Sequence, residues 1–357
     1  MTTTIVTYPI QPLSKRAKES LFYPDPRDKQ KMKGKTIRLK GPYGSKSAQV
    51  TISATENTMR VTTSLFRAIS GQNALTLPSL KNAVSLTFDH IAQRVHDELG
   101  YAPKLDKSRA ITLGSVDIVR HYRVGLAGDV SALLLALQRE MSKRSGDWVV
   151  GTYFRGGICE TVMIEIPELQ LKVKFYDKYR ELQRPGHRLP QKLPERDELL
   201  NTTRGCVRVE ITVSLRALKE RGLVELSSWT KGTRASIFDD VFAALNLRGK
   251  FSAQIPDKLF TDLSKGAQVT YFRWKLGQIA AEMLADTGKS TLASHKAELK
   301  KQLGIDLAQP ATVATSEFVR LKDIFISKRL VRPTKEQVKK WVPELAAVKK
   351  PTLTSAE

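Results

Sequence analysis

Apolar and polar residues alternate along much of the chain between Thr36 and Ser214, a period of two that predicts strands. Two runs are the clearest. Val173 and Phe175 alternate with Lys172, Lys174 and Tyr176; Val207, Val209, Ile211 and Val213 alternate with Arg208, Glu210, Thr212 and Ser214. Each strand then has an apolar face for a core and a second face of cations, a carboxylate and a tyrosine. A solvated sheet face would carry a similar pattern. Further strand signals fall at Thr36–Lys40, Ala48–Ser53, Met59–Thr63, residues 111–124, Trp148–Phe154 and Thr161–Ile166. Gly156-Gly157 predicts a hairpin between the last two, and so antiparallel pairing there.

Helical spacing interrupts this pattern. Val84, Phe88, Ile91, Ala92, Val95 and Leu99 form one stripe over Leu80–Leu99, with Ser79 placed to cap the start and Gly100 the end. Val130–Lys143 is amphipathic through Leu133, Leu134, Leu137 and Met141. Shorter helices are predicted after Val213, closing near Gly222, and over Ser236–Leu245. The fold class is α+β: a mainly antiparallel sheet flanked by helices, over residues 36–250. Residues 251–330 form a smaller helical domain. There Val269–Leu284 and Thr291–Leu303, joined by a turn at Asp286–Lys289, resemble a helix-turn-helix with a long link. Two packed helices with no DNA role fit that pattern equally well. Residues 1–35 read as a basic disordered arm and 331–357 as a basic flexible tail.

Charge narrows the class of partner. The 357 residues include 59 Lys and Arg against 36 Asp and Glu, a net charge of +23. Such an excess calls for an anionic partner, nucleic acid before membrane, because each cation set on a phosphate releases counterions. No run is long and apolar enough for a span or a signal peptide, so the expectation is a soluble, cytoplasmic-type protein with no membrane role. Cys159 and Cys206 lack zinc spacing and read as buried thiols.

Six residues carry candidate chemistry: Asp117, Tyr176, Lys178, Glu181, Arg208 and Glu210. Asp117 and Glu210, on neighbouring strands, would hold Mg²⁺ or Mn²⁺, which prefer oxygen ligands. The ion would polarise a phosphodiester, and Tyr176 would attack phosphorus. Lys178, the ion, or both would help form the phenolate, and Arg208 would stabilise charge on the phosphate. Asp117 and His121 share a strand face, but ~13 Å separates them, too far for one metal. Taken singly, each of these residues also has a plain structural role; Arg208 and Glu210, two apart on one face, would make an ordinary ion pair. Residues alone therefore support a basic α+β nucleic-acid-binding protein with nuclease chemistry as an option.

The order of the pieces resembles the gene II/X replication initiators of filamentous phages, a family with relatives among plasmid rolling-circle initiators. S-L-F-R-A-I-S-G-Q-N-A-L is similar to the family's Ser…Gly-His-Asn segment, with Gln72 in the His position. S-V-D-I-V-R-H-Y-R-V-G resembles its Arg-hydrophobic-Asp strand, with Ser115 in the Arg position. K-F-Y-D-K-Y-R-E-L matches Tyr-x-Lys-x-x-Glu-Leu at Tyr176, Lys178 and Glu181, and C-V-R-V-E-I matches Val-Arg-hydrophobic-Glu at Arg208 and Glu210. Trp274, Gly277 and H-K-A-E-L-K-K-Q-L-G-I-D-L resemble its C-terminal helical segment. The resemblance covers residues 36–307 and lacks the His-hydrophobic-His metal pair of common initiator endonucleases.

This resemblance implies a rolling-circle nickase acting on phage or plasmid origin DNA in the cytoplasm of a bacterial host. Tyr176 would be joined to the 5′ phosphate, leaving a 3′-OH to prime a host polymerase, and the displaced strand would later be rejoined. Tyr179 is the rival nucleophile. The chain has no G-x-x-x-x-G-K-[ST] loop, so a host helicase would open the duplex. The competing readings are a non-enzymatic DNA-binding protein, such as a repressor or packaging protein, and an RNA-binding protein.

Overall fold

The computed structural model describes residues 4–14, 17–18, 24–25, 28–32, 35–44, 48–74, 79–125, 129–143, 148–155, 158–252, 262–275, 280–303, 307 and 318–341. Nine strands make one sheet: β1 (Thr4–Pro9), β2 (Lys35–Leu39), β3 (Ala48–Ser53), β4 (Thr58–Thr63), β5 (Thr112–Arg123), β6 (Val149–Arg155), β7 (Ile158–Ile166), β8 (Leu171–Asp177) and β9 (Cys206–Ser214). Their order is β2-β3-β4-β1-β5-β9-β8-β7-β6, and every neighbouring pair is antiparallel. The α+β expectation with an antiparallel sheet is what the chain adopts. The β6–β7 pair runs up to Arg155↔Ile158; residues 156–157, where the turn was expected, lie outside the described residues.

The strand in the middle of the sheet was not anticipated. Thr4–Pro9 falls inside the expected disordered arm, yet it joins β4 to β5. Its sequence explains this: T-I-V-T-Y-P is a β-branched alternating run, and the basic residues that colour the first 35 positions begin only at Lys15. Val6 and Tyr8 are fully buried. The Tyr8 hydroxyl donates to the Val84 carbonyl at 2.9 Å, so a buried polar tip is satisfied. The short strands Pro24–Asp25 and Asp28–Met32 pair with each other.

One sheet face is mainly apolar, with Arg120 on β5 stacked 4.1 Å over the Phe238 ring. Val6, Val50, Val61, Ile118, Ile164, Val173, Phe175, Val209 and Ile211 meet three helices there: α2 (Leu80–Leu99), α3 (Asp129–Ser142) and α7 (Thr233–Leu245). Helix α2 has the predicted bounds. The Ser79 side chain accepts from the Asn82 amide, and Gly100 ends the helix at φ +67°.

The other face is covered too. Four helices lie about it: α1 (Leu65–Ser70), α4 (Lys178–Gln183), α5 (Arg196–Thr203) and α11 (Lys335–Trp341). Phe66, Ile69, Ala74, Leu182, Leu189, Leu199 and Trp341 form a second apolar cluster among them. The part of the polar face of β8 and β9 that carries Tyr176, Arg208 and Glu210 is thus buried, while Lys172 stays exposed. Between α5 and α7 lies α6 (Leu215–Glu220), started by the Ser214 side chain accepting from the Ala217 amide.

The expected flexible tail is ordered at its start. Leu330 bridges Tyr122 on β5, and the Val331 amide donates to the His121 carbonyl at 2.9 Å. Thr334 and Gln337 exchange bonds at the start of α11, a capping box that the sequence T-K-E-Q encodes. Buried Trp341 then anchors the helix, and Lys340 pairs with Glu195 and Glu198 at 3.2 Å each.

Helices α8 (Lys265–Lys275), α9 (Ala280–Thr287) and α10 (Lys289–Leu303) share their own apolar cluster, including Leu263, Ala267, Tyr271, Trp274, Met283, Leu292 and Leu299. The predicted single helix Val269–Leu284 is therefore two described segments; residues 276–279, with Leu276 and Ile279, lie outside the described residues. The link from α9 to α10 is Gly288 alone, at φ +78°. Among the described residues, no helix is long and apolar enough to cross a membrane.

Candidate functional site

Strand register assembles the site. Tyr176 on β8 stands opposite Arg208 on β9, which stands opposite His121 on β5. One step along the same face, Lys174 faces Glu210, which faces Val119. A further step brings Lys172, Thr212 and Asp117 into line. Directly paired residues share a face, so one polar surface carries Tyr176, Arg208, His121, Glu210 and Asp117. The chain leaves β8 at Asp177, whose carboxylate accepts from the Arg180 amide and starts α4. That turn brings Lys178 and Glu181 beside the row.

The cluster is almost dry. Lys178 is 0% exposed, Arg208 1%, Glu210 5%, Tyr176 5% and Glu181 9%. The Tyr176 hydroxyl donates to Glu210 Oε2 at 3.0 Å, and Arg208 Nη2 lies 3.5 Å from the same oxygen. Lys178 Nζ donates to Glu181 Oε2 at 2.5 Å, while His187 Nδ1 lies 3.1 Å from Glu181 Oε1. All four residues matched to catalytic positions therefore stand together, with Glu210 as the link to Tyr176.

Two cover residues were not among the sequence candidates. Asn73, just past α1, accepts from Lys178 Nζ at 3.1 Å and from Arg67 Nη2 at 3.2 Å through Oδ1. Its main-chain oxygen accepts from Arg208 Nη1 at 2.5 Å. A signal for Arg67 existed: an arginine amid the apolar run of L-F-R-A-I-S needs a buried polar partner. Gln72, in the position where the resembled family has His, turns its Oε1 onto the Ala74 amide at 2.7 Å and shapes this loop.

Burial dominates the electrostatics. Tyr176 is held well above the usual phenol range by desolvation, against the pull of Arg208, so the resting residue is a neutral phenol. Burial brings Lys178 down to about 8, although Glu181 opposes the fall. Burial pushes the Glu181 carboxyl up, but Lys178, Arg208 and His187 outweigh it and bring it to about 2. His121 is driven well below its ordinary value by burial and by the nearby Arg208 and Lys178, and is neutral.

Asp117 stands apart from this centre. It is two rows from the Tyr176–Arg208 row and accepts from the Thr212 hydroxyl at 2.6 Å. Glu210 lies diagonally between, within reach of an Asp carboxylate by the usual spacing of ~7–8 Å for diagonal strand neighbours. Two carboxylates are a hard-oxygen donor set of the kind Mg²⁺ uses when phosphates and waters complete its shell. Among the described residues, no group of three or more His, Cys, Asp or Glu gathers at ligating distance. Tyr179, the rival nucleophile, is half-buried on α4 with the Arg204 guanidinium 6.0 Å over its ring.

Compared with known proteins, residues 34–232 match a family model for the N-terminal region of the phage replication-associated protein of the gene II type. A search of curated proteins finds no match.

Proposed function

Since this chain belongs to the phage gene II-type family of replication-associated proteins, a family of replication initiators, we propose that it nicks one strand at an origin through Tyr176 and later rejoins the displaced strand. The observation that carries this reading is the Tyr176 hydroxyl bonded to Glu210 at 3.0 Å inside a cluster of cations. Glu210 Oε2 takes the phenol proton. The phenolate oxygen bonds to phosphorus as the bond from phosphorus to the 3′ oxygen breaks. Lys178, with its ammonium brought to about 8, supplies a proton to the leaving 3′ oxygen near neutral pH. The products are a 5′-phosphotyrosyl bond and a free 3′-OH. The phosphotyrosyl bond keeps the energy of the diester, so rejoining needs no nucleotide.

Arg208 faces the charge that develops on the phosphate, and Glu181 holds Lys178 in place. Asp117 and the second oxygen of Glu210 would hold Mg²⁺ or Mn²⁺. The ion would there draw charge from a phosphate oxygen. The remaining partners follow from the reaction: origin DNA of a phage or plasmid, a host helicase and a host polymerase, all in the bacterial cytoplasm.

The test is a nicking assay on supercoiled plasmid carrying the cognate origin, with Mg²⁺, read on a denaturing gel with and without protease. Open circles with protein on the 5′ end, lost in Tyr176→Phe and kept in Tyr179→Phe, are the expected result. Loss in Tyr179→Phe alone moves the nucleophile to α4. Tight, salt-sensitive binding with no nick under any divalent metal leaves a non-enzymatic DNA-binding protein whose tyrosine and carboxylates are structural.

A further inference from the structure

Three buried cations meet at one neutral residue. Lys178 and Arg67 both donate to Asn73 Oδ1, and Arg208 donates to the Asn73 main-chain oxygen. Asn73 itself is 4% exposed, and Arg67 8%. An amide and a carbonyl supply only dipoles, whereas each of these donors carries a full charge. Glu181 pairs with Lys178 and Glu210 with Arg208, whereas Arg67 has no carboxylate at ion-pair distance among the described residues. A buried cation with no carboxylate of its own is costly until an anion joins it.

Unused donors point the same way. Arg67 Nε and Gln72 Nε2 are buried with no hydrogen-bond partner among the described residues. Native proteins seldom leave such groups unsatisfied without a ligand or water to meet them. The cover is also built to part from the sheet. Gln72 and Asn73 belong to neither helix nor strand and follow the end of α1 at Gly71, φ +75°. Moving them breaks no helix or ladder bond. Some movement is needed, because Tyr176 at 5% exposure offers no path for a DNA backbone.

We propose that Arg67, Lys178 and Arg208 form a phosphate seat, and that Asn73 fills it in the DNA-free protein, its two oxygens standing where two phosphate oxygens come to lie. The identity of the anion as the phosphodiester being cut rests on the nickase reading; the seat itself does not. A phosphate entering the seat gains three charge-assisted bonds, and it gives Arg67 an anionic partner. Asn73 swings out as it enters, which couples exposure of Tyr176 to arrival of the strand. Arg67 is then a phosphate-binding residue, and Asn73 a reversible plug.

The experiment uses the full chain and thermal unfolding in inorganic phosphate against chloride at matched ionic strength. The wild type should show a saturable rise in Tm with phosphate, and a short random-sequence single strand of DNA should compete with it. Asn73→Asp places a carboxylate on the three cations. It should raise Tm in chloride, abolish the phosphate response and cut nicking at least tenfold. Asn73→Ala opens the seat and should tighten the apparent phosphate affinity severalfold. Arg67→Gln should weaken that affinity about tenfold, a typical loss for one charged hydrogen bond; if that variant does not fold, the two Asn73 variants decide.

An unchanged phosphate response in Asn73→Asp would place phosphate on surface lysines and overturn the seat, as would a lower Tm for that variant in chloride. Phosphate binding that DNA does not displace would refute the phosphodiester assignment. If the wild type binds phosphate as described but never nicks, the seat stands and the nickase reading fails. If Asn73→Asp nicks normally, the seat fails and the nickase reading stands.

Discussion

Removing the charge from Glu181 tests the electrostatic description of the site most directly. Glu181 is the carboxylate 2.5 Å from Lys178, a lysine with no solvent exposure. Its drop from an ordinary 4.5 to about 2 corresponds to about 3 kcal/mol of stability at neutral pH. A depressed carboxylate contributes stability that is present above 4.5 and lost as the pH falls through about 2. Glu181→Gln should therefore cost about 3 kcal/mol at pH ~7, within the 3–5 kcal/mol range for breaking a buried pair.

Lysine has the opposite sign. Lys178, lowered from 10.5 to about 8, is a burdened cation whose cost is felt below about 8 and fades as the pH rises through 8 towards 10.5. At pH ~9.5 it is already mostly neutral in the wild type, so losing Glu181 should cost less than about half as much as at pH ~7. Urea denaturation of both proteins at the two pH values gives the comparison. A loss of stability that is the same at both pH values, or under about 1 kcal/mol at neutral pH, would refute the view that Glu181 acts by compensating the charge of Lys178.

Other perturbations probe the supports of the site. Deleting residues up to Pro9 removes the strand that joins β4 to β5, and the product should fail to give a cooperative unfolding transition by circular dichroism. Gly71→Ala places a Cβ 2.9 Å from the Tyr43 ring and 3.0 Å from the Pro42 oxygen, at φ +75°. It should cost roughly 1–3 kcal/mol by denaturant midpoint and reduce nicking by displacing Asn73. Trp341→Ala empties a buried position against the α1–α4–α5 cluster and should cost about 3–5 kcal/mol on thermal unfolding. Acidification from about 4.5 towards 2 should release the Glu181 contribution as a steep stability loss that Glu181→Gln lacks.

Local signals in the sequence were the ones that could be read. Ser79, the apolar stripe and Gly100 define α2 without reference to anything distant. The alternation in β8 and β9 gives the face of every residue, and hence places Tyr176, Arg208 and Glu210 on one side. It cannot give the pairing of Tyr176 with Arg208 and of Arg208 with His121, because register is set between segments far apart in the chain. Asn73 was missed for the same reason: its partner Lys178 lies more than a hundred positions away. The cover over the polar face is also non-local, since α11 returns from residue 335 to pack Trp341 there. β1 was hidden by averaging, a six-residue β-branched run inside a stretch whose composition is basic.

The return of the chain to β5 has a consequence during synthesis. The Val331 amide bonds to the strand that carries His121, and Trp341 completes the apolar cluster that holds Phe66, Ile69 and Ala74. Residues 67–210 leave the ribosome long before either contact can form. A nascent chain would thus carry the tyrosine, the carboxylates and the three cations without the clamp that orders them. On the proposed nicking function, strand cutting would begin only once that late segment had docked.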